Sequence, residues 1–354
     1  LSWADLDAAS DALAHALQAH GFATGDRLGI AVQNGPSIVL GLLAAWKTGG
    51  VAALISPMYK RSEFRRALDD FTPSALLVLD NLHAEVADEI AVTGSIGLVI
   101  TVSPPLDFAG NDDIRRVFEV SRVPAAAGTV ELLDLIATGS REVSRHVPAP
   151  DDVAVLAPTS GTTGPPKGAK LMHRNLAFSA QAYRDWTGLE SGEPILCMSP
   201  VFHVTGLVGS VMLALSLRSP VILTHRFDAG LVLDAVRVWR PAFSVAAITA
   251  YIALADHPRR VARGVQLTPP PLFGWRTGTT RGRRSGRRTS RRDDPQRVRP
   301  DRVDVADTHG PARCPRAGRP PKPVLSRWVC RSSTRRPGSS TRTGGTGATG
   351  GDVR

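Results

Sequence analysis

Thr159-Ser-Gly-Thr-Thr-Gly-Pro-Pro-Lys-Gly-Ala-Lys170 is the stretch of this 354-residue chain that is most informative about its fold and chemistry. It follows an apolar run at residues 153–157, and a short continuous apolar run of this kind predicts a buried strand. The loop therefore emerges at the carboxyl end of a strand, where open α/β sheets bind their ligands. This position favours a phosphate-binding loop.

The residue types in the loop suit a polyphosphate. Glycines allow tight turns and bring backbone N–H groups close to an anion, hydroxyl groups donate further hydrogen bonds, and a lysine supplies a mobile positive charge. The residues are Thr159, Ser160, Gly161, Thr162, Thr163, Gly164, Lys167 and Gly168. The spacing differs from G-x-x-x-x-G-K-[ST], because Pro166 and Ala169 stand where that pattern needs its second glycine. A P-loop NTPase is therefore not predicted.

The same stretch resembles the phosphate loop of the AMP-forming adenylate synthetases, which include acyl-CoA synthetases, luciferase-like enzymes and peptide-synthetase adenylation domains. Their loop is similar to Thr-Ser-Gly-Thr-Thr-Gly-x-Pro-Lys-Gly, and this chain matches it through Gly168. A Thr/Gly/Pro-rich surface turn is the alternative interpretation, and the length of the match argues against it. Ala169 and Met172 depart from the family pattern, but neither removes a phosphate donor. The resemblance implies a catalytic role for Lys167 as well as nucleotide binding.

A second segment, residues 198–206, resembles the family's Pro-x-Phe-His-x-x-Gly motif, which lies beside the acyl-adenylate and the acid-binding pocket. The resemblance implies substrate-binding roles for Phe202, His203, Val204 and Gly206. It also implies a catalytic role for His203, as a positioning group rather than a proven base. A lone histidine in an apolar segment is more often a core residue, and the nearby phosphate-loop motif favours the site role here.

The N-terminal part also resembles the family. Residues 2–19 begin with a capping box at Ser2 and Asp5 and carry an apolar stripe at helical spacing. Residues 25–32 resemble the family's Gly-Asp-Arg-Val strand, and Pro36–Lys47 resembles its next helix. These patterns support the fold and not the site.

Further along the chain, strands are predicted at residues 220–223 and 243–247, flanking a helix at Ala229–Trp239. Strands and helices keep alternating, which is typical of an α/β sheet with parallel pairs. Residues 103–150 are rich in proline and are expected to form a looser connecting region. The resemblance to the adenylate synthetases implies that residues 1–265 are part of the large N-terminal domain of the adenylate-forming fold.

Location is inferred from three features. Residues 194–217 carry no charged side chain and are long enough to span a membrane, but Pro200, His203 and two glycines interrupt them, so we expect a strand, a loop and a buried helix. The first helix lacks the basic start of a signal peptide. Only Cys197 lies in the family-like part, so no disulfide framework is evident. We expect a cytoplasmic protein without a transmembrane segment.

The composition changes towards the C-terminus. From residue 271 onward only 9 of 84 residues are Leu, Val, Ile or Phe, which is too few to bury a core. This part carries 21 Lys and Arg against 6 Asp and Glu, a net charge of +15, whereas residues 1–270 carry −4. We therefore expect residues 266–354 to form a low-complexity, disordered tail.

The basic tail has two interpretations. One is an arginine-rich arm that binds nucleic acid or another polyanion non-specifically through phosphates, since aromatic residues for base stacking are nearly absent. The other is an out-of-frame translation of GC-rich coding sequence, in which arginine, glycine, proline and threonine would dominate. We favour the second, because the resemblance ends where the composition changes. Non-enzymatic polyanion binding stays open as the alternative function.

The resemblance implies a reaction that uses ATP, Mg²⁺ and coenzyme A. A carboxylic acid, expected to be fatty, attacks the α-phosphorus of ATP to give acyl-AMP and pyrophosphate, and the acyl group then passes to a thiol such as that of coenzyme A. Family members carry further motifs for adenine, ribose and the reacting carboxylate, which we do not find here. Lys322 is the only lysine of the tail, and its surroundings do not resemble the family's lysine segment. The chain also opens inside the family pattern, so we expect a truncated ligase with little or no adenylation activity.

Overall fold

The computed structural model describes residues 1–103, 118, 123–124, 126–159 and 167–258, and the backbone of 274–276. These residues form a mixed α/β structure with two sheets. The helices are α1 Trp3–Ala19, α2 Pro36–Lys47, α3 Arg61–Phe71, α4 Asp80–Thr93, α5 Leu132–Thr138, α6 His173–Thr187, α7 Val204–Gly206, α8 Leu213–Leu217, α9 Ala229–Trp239 and α10 Ile248–Asp256. The strands are β1 Arg27–Ala31, β2 Val51–Leu54, β3 Ala75–Leu79, β4 Leu98–Val102, β5 Thr129–Glu131, β6 Val153–Pro158, β7 Gly168–Met172, β8 Ile195–Cys197, β9 Val221–Leu223, β10 Phe243–Val245 and β11 Gly274–Arg276.

The first sheet has seven strands in the order β5-β4-β3-β1-β2-β6-β7. Its neighbouring pairs are parallel except for β6 and β7, which form an antiparallel hairpin at the edge. Helices cover both faces: Leu77 of β3 packs in the same cluster as residues of α1 and α2, whereas Leu76 and Val78 pack with α3 and α4. Burial on both faces explains why β3 is apolar along its whole length.

The second sheet has four strands in the order β11-β10-β8-β9. Strand β8 pairs in parallel with β9 and β10, and β11 adds an antiparallel edge. Leu196 and Ile222 face a core formed with α9, whereas Cys197 joins the larger core of the first sheet. The sequence predicted parallel pairs, which the structure confirms, but not that the later strands form a sheet of their own.

A helical run follows β8 and its loop, as the sequence predicted for residues 194–217. It passes from α7 through a π-helical segment, Leu207–Met212, into α8. Segments of π-helix are rare and occur frequently at functional sites. None of the helices in the described ranges is long and apolar enough to cross a membrane.

A charged cluster fixes the chain that leads into β6. The Lys47 amino group at the end of α2 lies 2.7 Å from Asp7 and 2.9 Å from Asp11, both on α1. Arg145 contacts the same two carboxylates, at 3.2 and 2.6 Å. The Lys47 hydrogen bond is the main reason why the pKa of Asp7 is lowered. The connection to β6 is thereby held against α1 and α2.

The predicted helices at Pro36–Lys47 and Ala229–Trp239 are confirmed with the same bounds, and the capping box at Ser2 and Asp5 is present. The prediction for residues 103–150 is partly wrong, because β5 and α5 lie within them and close one edge of the first sheet. Strand β5 has only three residues and α5 only seven, so neither is long enough to show a clear period in the sequence. The predicted tail lies outside the described residues, apart from the backbone of β11.

Candidate phosphate-binding site

The loop that begins at Thr159 connects β6 to β7, and its two ends are joined by a pair of hydrogen bonds. The Thr159 N–H donates to the Lys167 carbonyl at 2.9 Å, and the Lys167 N–H donates to the Thr159 hydroxyl oxygen at 3.0 Å. Next to them, Pro158 and Gly168 are register partners in the hairpin. We call Thr159, Lys167 and Gly168 the loop stem. The stem holds the family-like loop at the carboxyl end of β6, as predicted.

Helix α3 packs closely against the stem at Gly168. A Cβ at this position would lie 2.6 Å from Cε1 of Phe71, which is closer than carbon atoms approach one another. The Gly168 N–H donates to the Asp70 carboxylate, at 3.0 Å from Oδ2. Glycine is therefore needed here for close approach to α3, and its amide has a protein partner rather than pointing to an open anion site.

The remaining predicted phosphate ligands lie outside the described residues. They are Ser160, Gly161, Thr162, Thr163 and Gly164. Their assignment to phosphate binding stays a prediction. The structure places the two ends of their loop, Thr159 and Lys167, both of which are exposed.

A cavity of about 100 Å³ lies between α3 and the stem. Tyr59, Glu63, Arg66, Asp70 and Lys167 are among the residues that line it. Burial, and then the nearby Glu63 carboxylate, raise the pKa of Tyr59, so its phenol stays neutral. Ligand pockets usually have volumes of about 300–1,000 Å³, so this cavity by itself is too small for a nucleotide.

The second predicted segment lies in the loop between β8 and α7. Val201 is fully buried, Phe202 is half-buried, and His203 and Val204 are exposed. His203 is the N-cap of α7, and its Nδ1 accepts a hydrogen bond from the Thr205 N–H at 3.3 Å. A neutral ring that accepts at Nδ1 carries its proton on Nε2. This bond orients the ring, and the positioning role of His203 stays a prediction.

Gly206 is buried and is the last residue of α7. A Cβ there would lie 2.3 Å from the Pro200 carbonyl oxygen and 2.6 Å from that of Ser199. Both contacts are with backbone, so relief requires the loop that carries His203 to move. We expect Gly206→Ala to lower the free energy of unfolding by about 1–3 kcal/mol, measured by urea denaturation.

Gly97→Ala is the matched control for Gly206→Ala. The nearest atom to its added Cβ is the Ser74 carbonyl oxygen at 3.9 Å, an ordinary contact. It should change stability by less than about 0.5 kcal/mol. Equal stability of the two variants would contradict the close packing at Gly206.

Asn34 is a site residue that sequence reasoning missed. It follows β1, is buried, and bonds the His203 loop through both ends of its amide: Nδ2 donates to the Ser199 carbonyl and Oδ1 accepts from the Val201 N–H, each at 2.8 Å. Its backbone exchanges two hydrogen bonds with His225, which follows β9. Asn34 thus ties the second sheet to the first. A polar residue after a buried strand was its only signal in the sequence.

His225 lies at this junction in an uncommon conformation, with a φ of 60°. Its ring centroid is 5.2 Å from that of Phe118. Burial, helped by the charge of Arg226, lowers the pKa of His225 to about 3. The imidazole therefore stays neutral at physiological pH and contributes no charge to the site.

The two predicted halves of the site lie on different sheets. Lys167 belongs to the hairpin of the first sheet, and His203 follows β8 of the second. Among the described residues, no hydrogen bond or ion pair joins the loop stem to residues 198–206. Both halves begin at carboxyl ends of strands, which is where α/β sheets place ligand sites.

Comparison of the sequence with known proteins identifies the family of this chain. Residues 1–291 match the family described as AMP-binding enzyme. The chain belongs to the AMP-binding enzyme family. A long-chain-fatty-acid–CoA ligase of Bacillus subtilis strain 168 is 28% identical over 256 residues, which cover 70% of this chain and 45% of that protein. A feruloyl-CoA synthase of an Amycolatopsis species is 31% identical over 260 residues, covering 73% and 46%.

Solved structures agree with this assignment to the AMP-binding enzymes. The crystal structure of ATP-bound MatB from Rhodopseudomonas palustris is similar with a TM-score of 0.60 and 27% identity, covering 73% of this chain and 46% of that one. The fold is thus a mixed α/β part of the N-terminal domain of adenylate-forming enzymes. The chain spans about half the length of the relatives that it matches.

Proposed function

We propose that this AMP-binding enzyme chain supplies the phosphate-binding part of a ligase that activates a carboxylic acid with ATP and forms a thioester with coenzyme A. The loop stem is the observation that carries the proposal, because it holds the predicted phosphate loop between two strands at the carboxyl end of β6. The relatives named above are acyl-CoA ligases, and one similar structure contains ATP.

In this proposal the two halves of the site have different partners. Lys167 is exposed at the end of the stem, and its ammonium group offers charge to the phosphates of ATP as pyrophosphate leaves. The His203 loop lies beside the acid, with Phe202 and Val204 presenting apolar surface. His203 is held by its bond from Thr205, so it orients the acid rather than removing a proton.

Magnesium and coenzyme A enter the proposal only through the family. In the described part of the chain, no group of three or more His, Cys, Asp or Glu side chains could hold a metal ion. Mg²⁺ usually binds through one or two carboxylates together with substrate phosphates, and we derive no step through the ion.

The class of acid follows from the relatives and from the His203 loop. One relative is named for a long-chain fatty acid and another for ferulate, and both acids have a large apolar part. Phe202 is half-buried, and Val204 is 45% exposed, so both can contact apolar surface. We propose an acid with an extended apolar portion, and favour a fatty acid.

For the polypeptide as printed, we expect ATP to bind and pyrophosphate to displace it, with ATP–pyrophosphate exchange at background for a panel of carboxylic acids. In this proposal the loop between Thr159 and Lys167 supplies the phosphate donors, whereas the sequence shows no family-like motif for adenine, ribose or the reacting carboxylate. Equilibrium dialysis measures the displacement, and labelled pyrophosphate measures the exchange. Binding that pyrophosphate cannot displace contradicts the proposed function, and exchange above background contradicts the proposed loss of activity.

The same dialysis tests the alternative of polyanion binding by the tail. We place the boundary of the ligase part at residue 265, although the family match continues to residue 291. The net charge of +15 beyond residue 270 favours non-specific binding of phosphates, so the tail is an alternative binding site for ATP. If random-sequence DNA displaces ATP and binding falls steeply with salt, the tail is the site. We expect DNA to leave ATP binding at the stem unchanged.

A further inference from the structure

Asp70 lies at the carboxyl end of α3, next to the loop stem. It is exposed, and its Oδ2 accepts the Gly168 N–H at 3.0 Å, although 98 residues separate the two along the chain. The neighbouring Phe71 ring fills the space that a Cβ of Gly168 would need. Helix α3 therefore contacts the stem at one point with both a hydrogen bond and tight packing.

The Asp70 bond acts on the same peptide unit that carries Lys167. The Lys167 carbonyl accepts the Thr159 N–H at 2.9 Å, and the Gly168 N–H of that peptide donates to Asp70. Because a peptide group is planar, two bonds to its opposite ends fix the orientation of the whole unit. The direction in which the Lys167 side chain leaves the backbone depends on that orientation.

We propose that Asp70 is a positioning residue for the phosphate loop, which holds the Lys167–Gly168 peptide so that the Lys167 side chain meets the phosphates of the nucleotide. This inference rests on the proposed function. Asp70 acts through Lys167 and does not itself contact the nucleotide. The loop is thereby anchored to α3 as well as to its own hairpin.

Because Asp70 is charged, the proposal can be tested by whether its removal strengthens or weakens ATP binding. A carboxylate near a phosphate site repels the ligand, so an effect through charge alone means that removing Asp70 strengthens ATP binding. An effect through position means that removing it weakens binding. Asparagine separates the two, because its amide oxygen still accepts the Gly168 N–H and carries no charge.

We expect Asp70→Ala to weaken ATP binding by about three- to tenfold, the usual range for one lost hydrogen bond, with Asp70→Asn at least as tight as wild type. Asp69→Ala is the matched control, because Asp69 is exposed on the same helix and pairs with Arg65 at 2.9 Å instead of with the stem. Titration of ATP into the full chain measures all three variants. In a Lys167→Ala background, Asp70→Ala should have almost no further effect.

Amide hydrogen exchange supplies a readout that needs no ligand. Exchange of the Gly168 amide should accelerate in Asp70→Ala and stay slow in Asp69→Ala, with unchanged thermal unfolding because Asp70 is exposed. Tighter ATP binding by Asp70→Ala than by wild type would overturn the proposal. So would an equal loss of ATP affinity when Asp70→Ala is made in wild type and in the Lys167→Ala variant. If wild type binds no ATP, the proposed function fails, while unchanged Gly168 exchange in Asp70→Ala still refutes the anchoring role.

Discussion

Replacing Asn34 with leucine is expected to lower the free energy of unfolding by about 2–5 kcal/mol. Leucine has a similar volume, but it neither donates to the Ser199 carbonyl nor accepts the Val201 N–H. Both groups belong to buried residues, and each buried polar group without a partner costs about 1–3 kcal/mol. Urea denaturation followed by circular dichroism measures the change.

Asn81→Leu is the matched control for Asn34→Leu. Asn81 is exposed in the first turn of α4, so leucine there leaves no buried group without a partner. Its stability should stay within about 0.5 kcal/mol of wild type. If the free energy of unfolding of Asn34→Leu also stays within about 0.5 kcal/mol of wild type, the Asn34 amide does not stabilise the junction of the two sheets. A loss of stability should also release the His203 loop, since Asn34 holds it to the first sheet.

Lys167→Ala is expected to weaken ATP binding by about ten- to hundredfold, because a hydrogen bond that involves a charged group contributes about 1.5–3 kcal/mol. The Lys167 side chain is exposed, so alanine removes its charge. The stem hydrogen bonds remain, because Lys167 makes them through its backbone N–H and carbonyl. Isothermal titration with ATP and magnesium measures the loss, and unfolding curves should be unchanged.

Local patterns were sufficient to predict several elements. The helix at Pro36–Lys47 carries an apolar stripe and has a proline in its first turn, both of which act within the segment itself. The strand β6 is an uninterrupted apolar run that pairs in parallel with β2. In such segments the residues that determine the structure are adjacent in the chain, so one sequence is enough to show them.

Contacts between distant parts of the chain were not predictable in the same way. Asn34 and Ser199 are 165 residues apart, and Asp70 and Gly168 are 98 apart, and nothing in the local pattern of either residue specifies its partner. Strand β7 contains Gly168 and an exposed lysine, so its apolar pattern was too weak to indicate a hairpin.

The central claim, that the loop between β6 and β7 holds nucleotide phosphates, is tested most directly by titrating ATP into wild type, Lys167→Ala and Lys170→Ala. Lys170 is the matched control, since it is exposed on β7 beyond the stem. We predict that wild type and Lys170→Ala bind ATP equally well and that Lys167→Ala binds at least about tenfold more weakly. Equal affinity of all three proteins, or a larger loss for Lys170→Ala than for Lys167→Ala, would contradict the claim.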